Sequence, residues 1–343
     1  MAKSSAEAKT ESPRLTSTVK GKRRSGRLGS PRNRFLPLDP IRRKQIRHNW
    51  DLYLLLLPVL AYFVIFHYVP MYGVQIAFKD FRVADGIGGS PWVGLKHFRR
   101  FVESFWFGEV LRNTLVLSLY GLFASFPIPI LLALLLHYNP SSGFRRTVQT
   151  IVYAPNFIST VVVVSMMVIF LSPSTGIVNR AITALGGDSI AFFAEPGWFP
   201  HLYVLSDIWQ RAGFSAIIYL GVLSSVDPAL HESATIDGAT KFQRMWHIDL
   251  PHIIPTATVL FILAFGRLVS IGFEKTFLMQ TPLNLETSEI IATYIYRVGI
   301  ARAGSGTQYS FGAAVGLMQS VANFILIVTV NRVAKKISGQ GLF

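Results

Sequence analysis

Residues Asn113 to Phe144 read NTLVLSLYGLFASFPIPILLALLLHYNPSSGF, without one Asp, Glu, Lys or Arg. A run of that length exceeds the ~20 residues an apolar helix needs to cross a bilayer, and few soluble folds could bury it on every side. The same pattern recurs outward in both directions. Leu52 to Phe78, Thr147 to Asn179 and Ala303 to Asn331 are also free of charge. Two further apolar segments carry embedded charges: His201 to Leu223, with Asp207 and Arg211, and Thr256 to Phe273, with Arg267. The expectation is an all-α, polytopic membrane protein with six transmembrane helices. Pro58, Pro70, Pro127, Pro129 and Pro155 lie in or at the ends of these segments, which membrane helices tolerate where neighbours satisfy the freed backbone groups.

Composition supports this reading. Of 343 residues, 51% are hydrophobic and only 15% charged, against about 25% charged in soluble domains. With no cysteine, disulfides, thiolate metal sites, c-type haem attachment and a cysteine nucleophile are all excluded. The net charge of +15 is concentrated at one end: the first 50 residues hold 14 of the 33 Lys and Arg and only three acids, Glu7, Glu11 and Asp39. That stretch is rich in Ser, Gly and Pro and cannot bury enough apolar surface to offset chain entropy. Residues 1–50 are therefore expected to be a disordered basic tail, and 51–343 a transmembrane domain. Lys20 to Arg34 reads as a solvated tail beside the first span rather than a nucleic-acid or anionic-lipid patch. Its length also argues against a cleavable secretory signal. Moving such a tail across a membrane is unfavourable, so both termini and the loops at 138–147 and 224–255 are expected on the cytoplasmic side.

The loop 224–255 reads SSVDPALHESATIDGATKFQRMWHIDLPHIIP. Asp227 can cap a helix, Pro228 suits its first position, and Gly238 can adopt the left-handed conformation that ends it. The result is a helix of about ten residues. A second short helix can follow, capped by Thr240, carrying Phe242, Met245 and Trp246, and closed by Pro251 before the next span. Helices this short are marginal in water alone, so a partner should hold the first. Ser233, Ala234 and Ala239 permit close approach, while Glu232 and Asp237 offer carboxylates to basic groups. The bland alternative is a hairpin lying on the membrane surface.

The spacing Glu232-Ser233-Ala234, Gly238, Ile248, Leu250-Pro251 resembles the coupling-loop signature of permease subunits of binding-protein-dependent ABC importers, with Ser233 where the pattern has a middle alanine. Pro91-Trp92-Val93-Gly94-Leu95-Lys96-His97-Phe98 and Leu111-Arg112-Asn113-Thr114-Leu115 are similar to the first external loop and second span of carbohydrate-uptake permeases. Ile76-Ala77-Phe78-Lys79-Asp80-Phe81, Phe170-Leu171-Ser172-Pro173, Ser206-Asp207-Ile208-Trp209-Gln210 and Phe273-Glu274-Lys275 resemble its polysaccharide and complex-oligosaccharide branch. The resemblance implies a type I ABC importer permease fold in a bacterial cytoplasmic membrane, forming half of a translocation pore. It implies as partners a second permease subunit, two cytoplasmic ATPase subunits that hold ATP and Mg, and an external solute-binding protein delivering an oligosaccharide. Glu232, Ser233, Ala234, Asp237, Gly238 and Ala239 would couple the pore to the ATPases, whose closure on ATP would turn it outward-facing. Rival readings are an ion-gradient-driven secondary transporter, for which no inverted repeat is visible, a membrane-embedded enzyme, or an ABC importer of another solute such as a sugar phosphate.

No phosphate loop, HExxH zinc pair or GxSxG nucleophile motif occurs, so no catalytic residue and no cofactor is expected in this chain. His231, His247 and His252 share the loop without metal-ligand spacing, and no metal site is expected. Polar groups within spans are costly and face a cavity or one another. Asp207 and Arg211, four apart on one helical face, read first as an ion pair. Asp207, Trp209 and Gln210 could instead line the substrate path, with Asn113, Tyr153, Asn156, Arg267 and Asn323 as further candidates. Gly312, Gly316 and Ser320 form a small-residue stripe suited to close helix packing. Phe98, Phe101, Phe105, Trp106 and Phe107 read as interfacial anchors, and Glu274, Glu286 and Glu289 as solvated or partner-facing acids.

Overall fold

The computed structural model describes residues 48–301 and 307–338; the basic tail expected over 1–50 lies almost wholly outside them. The chain divides into one unit ending at Phe63 and a second beginning at Val64. The first contains the helix Trp50–Phe63, whose residues are almost all exposed. The second carries the rest, and among its described residues an isolated bridge between Lys79 and Trp92 is the only strand-like pairing. The all-α expectation holds.

Among the described residues, four helical runs are long and apolar enough to cross a membrane: Trp50–Phe78, Trp106–His137, Lys241–Phe265 and Gln308–Lys336. Two bent pairs supply up to two more. One of these, Ser142–Phe157 with Thr160–Phe170, turns by 100°, so the third expected span is broken. Pro155 has no N–H to continue the ladder and sits in the 3-10 turn Ala154–Phe157; Ser159 then caps a new helix by accepting from Val162 N. The inside of the elbow is held by Gln210, whose amide donates to Ile158 O at 2.8 Å. Gly213 passes so close that a Cβ there would lie 2.0 Å from Val152 O.

The fifth span also differs from expectation. It starts at Lys241, not Thr256, and Pro251 does not end the short helix. A π-turn over Met245–Asp249 widens the ring just before Pro251, so the proline's missing N–H leaves no gap in an α ladder. The helix then stops at Phe265, which leaves Arg267 in the following turn rather than inside the span.

Three apolar clusters hold the second unit together. Leu134, Ala216, Tyr219, Leu223 and Ile253 join the second, fourth and fifth spans near the loop 224–255. Leu117, Val164, Phe199, Met279 and Ile290 form another cluster, and Phe101, Val110, Tyr294 and Phe311 a third. Phe101 is thus core rather than an interfacial anchor, whereas Phe105 is 85% exposed. In the last helix, Gly312 lies so near the backbone of Gly299 that a Cβ there would sit 3.3 Å from Gly299 Cα, the close approach its small-residue stripe suggests.

Candidate functional site

The loop helix runs Pro228–Ile236. Asp227 Oδ1 accepts from Ala229 N at 3.0 Å and Pro228 takes the first turn. At the other end Gly238 has φ +80°, Gly238 N donates to Thr235 O and Ala239 N to Ala234 O, a Schellman motif. Thr240 and Gln243 then form a reciprocal capping box that starts the fifth span. Arg244 Nη1 donates to Thr235 Oγ1 at 2.8 Å, fixing the angle between the two helices.

All of these are local interactions, and they leave the helix's outer face open. Glu232, Ser233, Asp237 and Gly238 are exposed, Ala234 and Ala239 half-buried. Ile236 is 86% and Phe242 70% exposed. Ala234, Asp237, Gly238 and Ala239 line a groove of about 300 Å³ with Gln243, Arg244, His247 and Ile248. The structure thus brings four of the six expected coupling residues around one groove, and places Glu232 and Ser233 on the helix beside it.

The base of the helix is pinned by groups that sequence spacing did not reveal. His231 Nε2 lies 3.2 Å from Asp249 Oδ1. Tyr138, just past the second span, donates to Asp249 Oδ2 at 2.5 Å, and burial together with the carboxylate pushes its phenol well up. Asp249 is completely buried. Its pattern position, one residue before Leu250-Pro251, gave no hint of this.

The expected path residues separate into two groups. Asp207 and Arg267 share a cavity of about 220 Å³ with Ser118, Ser125 and Tyr203. Asp207 pairs with Arg211 at 3.0 Å, as its spacing suggests, and also with Lys275 at 3.6 Å. Lys275 donates to Tyr203 O and sits over the Tyr203 ring; burial pulls its ammonium down to about 8, against the pull of Asp207. The remaining candidates lie elsewhere. Asn113 is buried and donates to the carbonyls of Glu286 and Glu289. Tyr153 and Asn156 flank the elbow of the third span, where Gln210 is buried as its brace, and Trp209 is half exposed. Asn323 accepts from Val269 N and donates to Ser270 Oγ, bracing the turn that contains Arg267.

The segment after the fifth span departs from expectation at one acid. Glu289 is buried and forms a two-point ion pair with Arg297, at 2.6 and 2.7 Å, and Arg297 stacks over Trp106. In the first loop Asp80 binds Lys96 at 2.7 Å and His97 at 2.9 Å. The Lys96 hydrogen bond holds Asp80 below its usual value, while burial keeps His97 low despite that carboxylate.

Bent apolar helices around a braced polar cavity, with one capped helix standing outside, define a multi-pass permease. Over residues 106–339 the chain matches the family described as binding-protein-dependent transport system inner membrane component, and it belongs to that family. Protein LplB of Bacillus subtilis (strain 168) is 43% identical over 297 residues, covering 87% of this chain and 92% of its own. The polygalacturonan/rhamnogalacturonan transport system permease protein YteP of the same organism is 44% identical, covering 85% and 90%. A chain of the solved bacterial ABC transporter involved in import of the acidic polysaccharide alginate superposes with a TM-score of 0.79 at 41% identity, covering 87% of this chain and 99% of that one. The fold is therefore that of a type I ABC importer permease, and the chain is a multi-pass inner-membrane transport component.

Proposed function

We propose that this chain forms one half of the pore of an ATP-driven importer for oligosaccharides released from polysaccharides. A second permease subunit completes the pore, two ATPase subunits carrying ATP and Mg dock on the loop 224–255, and an external solute-binding protein delivers the sugar. The tail and loop face the cytoplasm in this reading, and residues 51–343 act as one permease domain. The observation that carries it is the loop helix: it is capped at both ends, yet its outer face is exposed, as expected of a rigid knob shaped for a partner's groove. Glu232 and Asp237 supply charge, Ser233, Ala234 and Ala239 closeness, and Gly238 the sharp turn that lets the helix move as a unit. ATP-driven closure of the ATPase dimer would carry the helix with it and turn the pore outward; hydrolysis would reset it. No catalytic step is assigned to the permease itself.

For the sugar, the polygalacturonan and rhamnogalacturonan transported by YteP and the alginate imported by the solved transporter support a carbohydrate chain. The cavity bearing Asp207, Arg267 and Tyr203 offers a carboxylate, a guanidinium and an aromatic face, groups suited to hydroxyl-rich rings. A relative described as an sn-glycerol-3-phosphate permease is only 27% identical, which leaves the sugar-phosphate reading weaker. The test replaces Glu232 with Ala and Gly238 with Val in the assembled transporter, then measures ATPase co-purification and sugar uptake. Uptake should fall at least tenfold in both, with Glu232→Ala also loosening the ATPase. Unchanged assembly and uptake would remove the coupling role.

A further inference from the structure

The cluster at the base of the loop helix has the makings of a metal site. His137 ends the second span, His231 lies on the loop helix and Asp249 within the π-turn of the fifth. Each offers one ligand atom, and the three atoms lie within 4.8 Å of one another. Two further observations point to a cation rather than a simple ion pair. His231 Nε2 and Asp249 Oδ1, both buried, face each other at 3.2 Å within ion-pair reach but without the geometry of a hydrogen bond. Two ligand atoms on a tetrahedral zinc ion, each about 2.0–2.1 Å from the metal, stand about 3.3 Å apart, so the observed gap is one that a shared ion would span. The other carboxylate oxygen of Asp249 is already held by the Tyr138 hydroxyl, the kind of supporting hydrogen bond that orients a metal-binding carboxylate.

We propose that His137, His231 and Asp249 bind a divalent transition-metal ion of the zinc class, with a fourth position open to water. Two imidazoles and a carboxylate favour zinc, cobalt or nickel over magnesium or calcium. The ion would join the ends of two spans to the loop helix and so set how stiffly that helix is mounted. This site is independent of the transport reading, since it needs no partner and no sugar.

The test uses the assembled transporter, stripped with a chelator and titrated with Co²⁺, whose visible absorption reports tetrahedral coordination. One Co²⁺ per permease chain should bind and be displaced by Zn²⁺. His231→Gln and Asp249→Asn should each weaken binding by more than about 100-fold, beyond the loss expected for a supporting group. His247→Ala and His252→Ala, on the same loop but outside the cluster, should leave it unchanged. If Asp249→Asn prevents assembly, His231→Gln decides alone. Absence of saturable Co²⁺ binding, or binding equal in His231→Gln and the unmutated protein, would overturn the proposal and leave a plain His231–Asp249 ion pair.

Discussion

Asp207 and Asp249 are two intramembrane or near-membrane carboxylates solved in opposite ways. Asp207 meets two cations, Arg211 on its own helix and Lys275 from the short helix Phe273–Met279 after the fifth span. Asp249, fully buried, meets a tyrosine and a histidine from two other segments. The first arrangement offsets a charge with charge beside a polar cavity; the second ties a carboxylate to groups that can be neutral, at the mount of the exposed helix. Charge neutralisation leaves Asp207 partly solvated, whereas the Asp249 cluster fixes how three segments meet.

Breaking the first cluster should have the largest effect on stability. Asp207→Ala leaves Lys275, only 5% exposed, without its carboxylate, and removal of one partner of a buried pair costs about 3–5 kcal/mol. The low end is expected because Lys275 can shed its proton, and thermal unfolding of the purified permease measures it. A pH series sharpens the same contrast. Lys275 is held at about 8 against 10.5 in the unfolded chain, so between those values the unfolded state binds the extra proton and stability should rise with pH. Below 8 both states are protonated and the difference is constant. Lys275→Met should abolish the rise in melting temperature between pH 8 and 10.5; persistence of the full rise would assign it to another group. The smallest effect belongs to Arg211→Ala. Its side chain is 65% exposed, and an exposed i,i+4 pair contributes about 0.3–0.5 kcal/mol.

The same contrast explains what was legible in the sequence. The Asp207–Arg211 pair follows from a four-residue spacing, and the caps at Asp227, Gly238 and Thr240 follow from residue types whose effect reaches two to five positions. Lys275, Tyr138 and His137 have no such local mark; they meet the aspartates only after distant segments pack. Pro251 misled for a related reason. A proline normally ends a helix, but a π-turn beneath it kept this one going, and no local pattern distinguishes it from Pro155, where the chain bends. Phe101, in an aromatic run before a span, and Glu289, in a loop, carry no local sign of burial; packing sets Phe101 against Phe311 and pairs Glu289 with Arg297.

The sequence alone determined that the chain is a set of apolar helices with one capped polar helix between the fourth and fifth, because hydropathy over about 20 residues and capping over five are properties of contiguous chain. Tertiary structure decided where helices bend, which acids are buried and which candidates share a cavity. Those outcomes depend on groups far apart in the chain competing for the same small space, and that competition is settled only by packing.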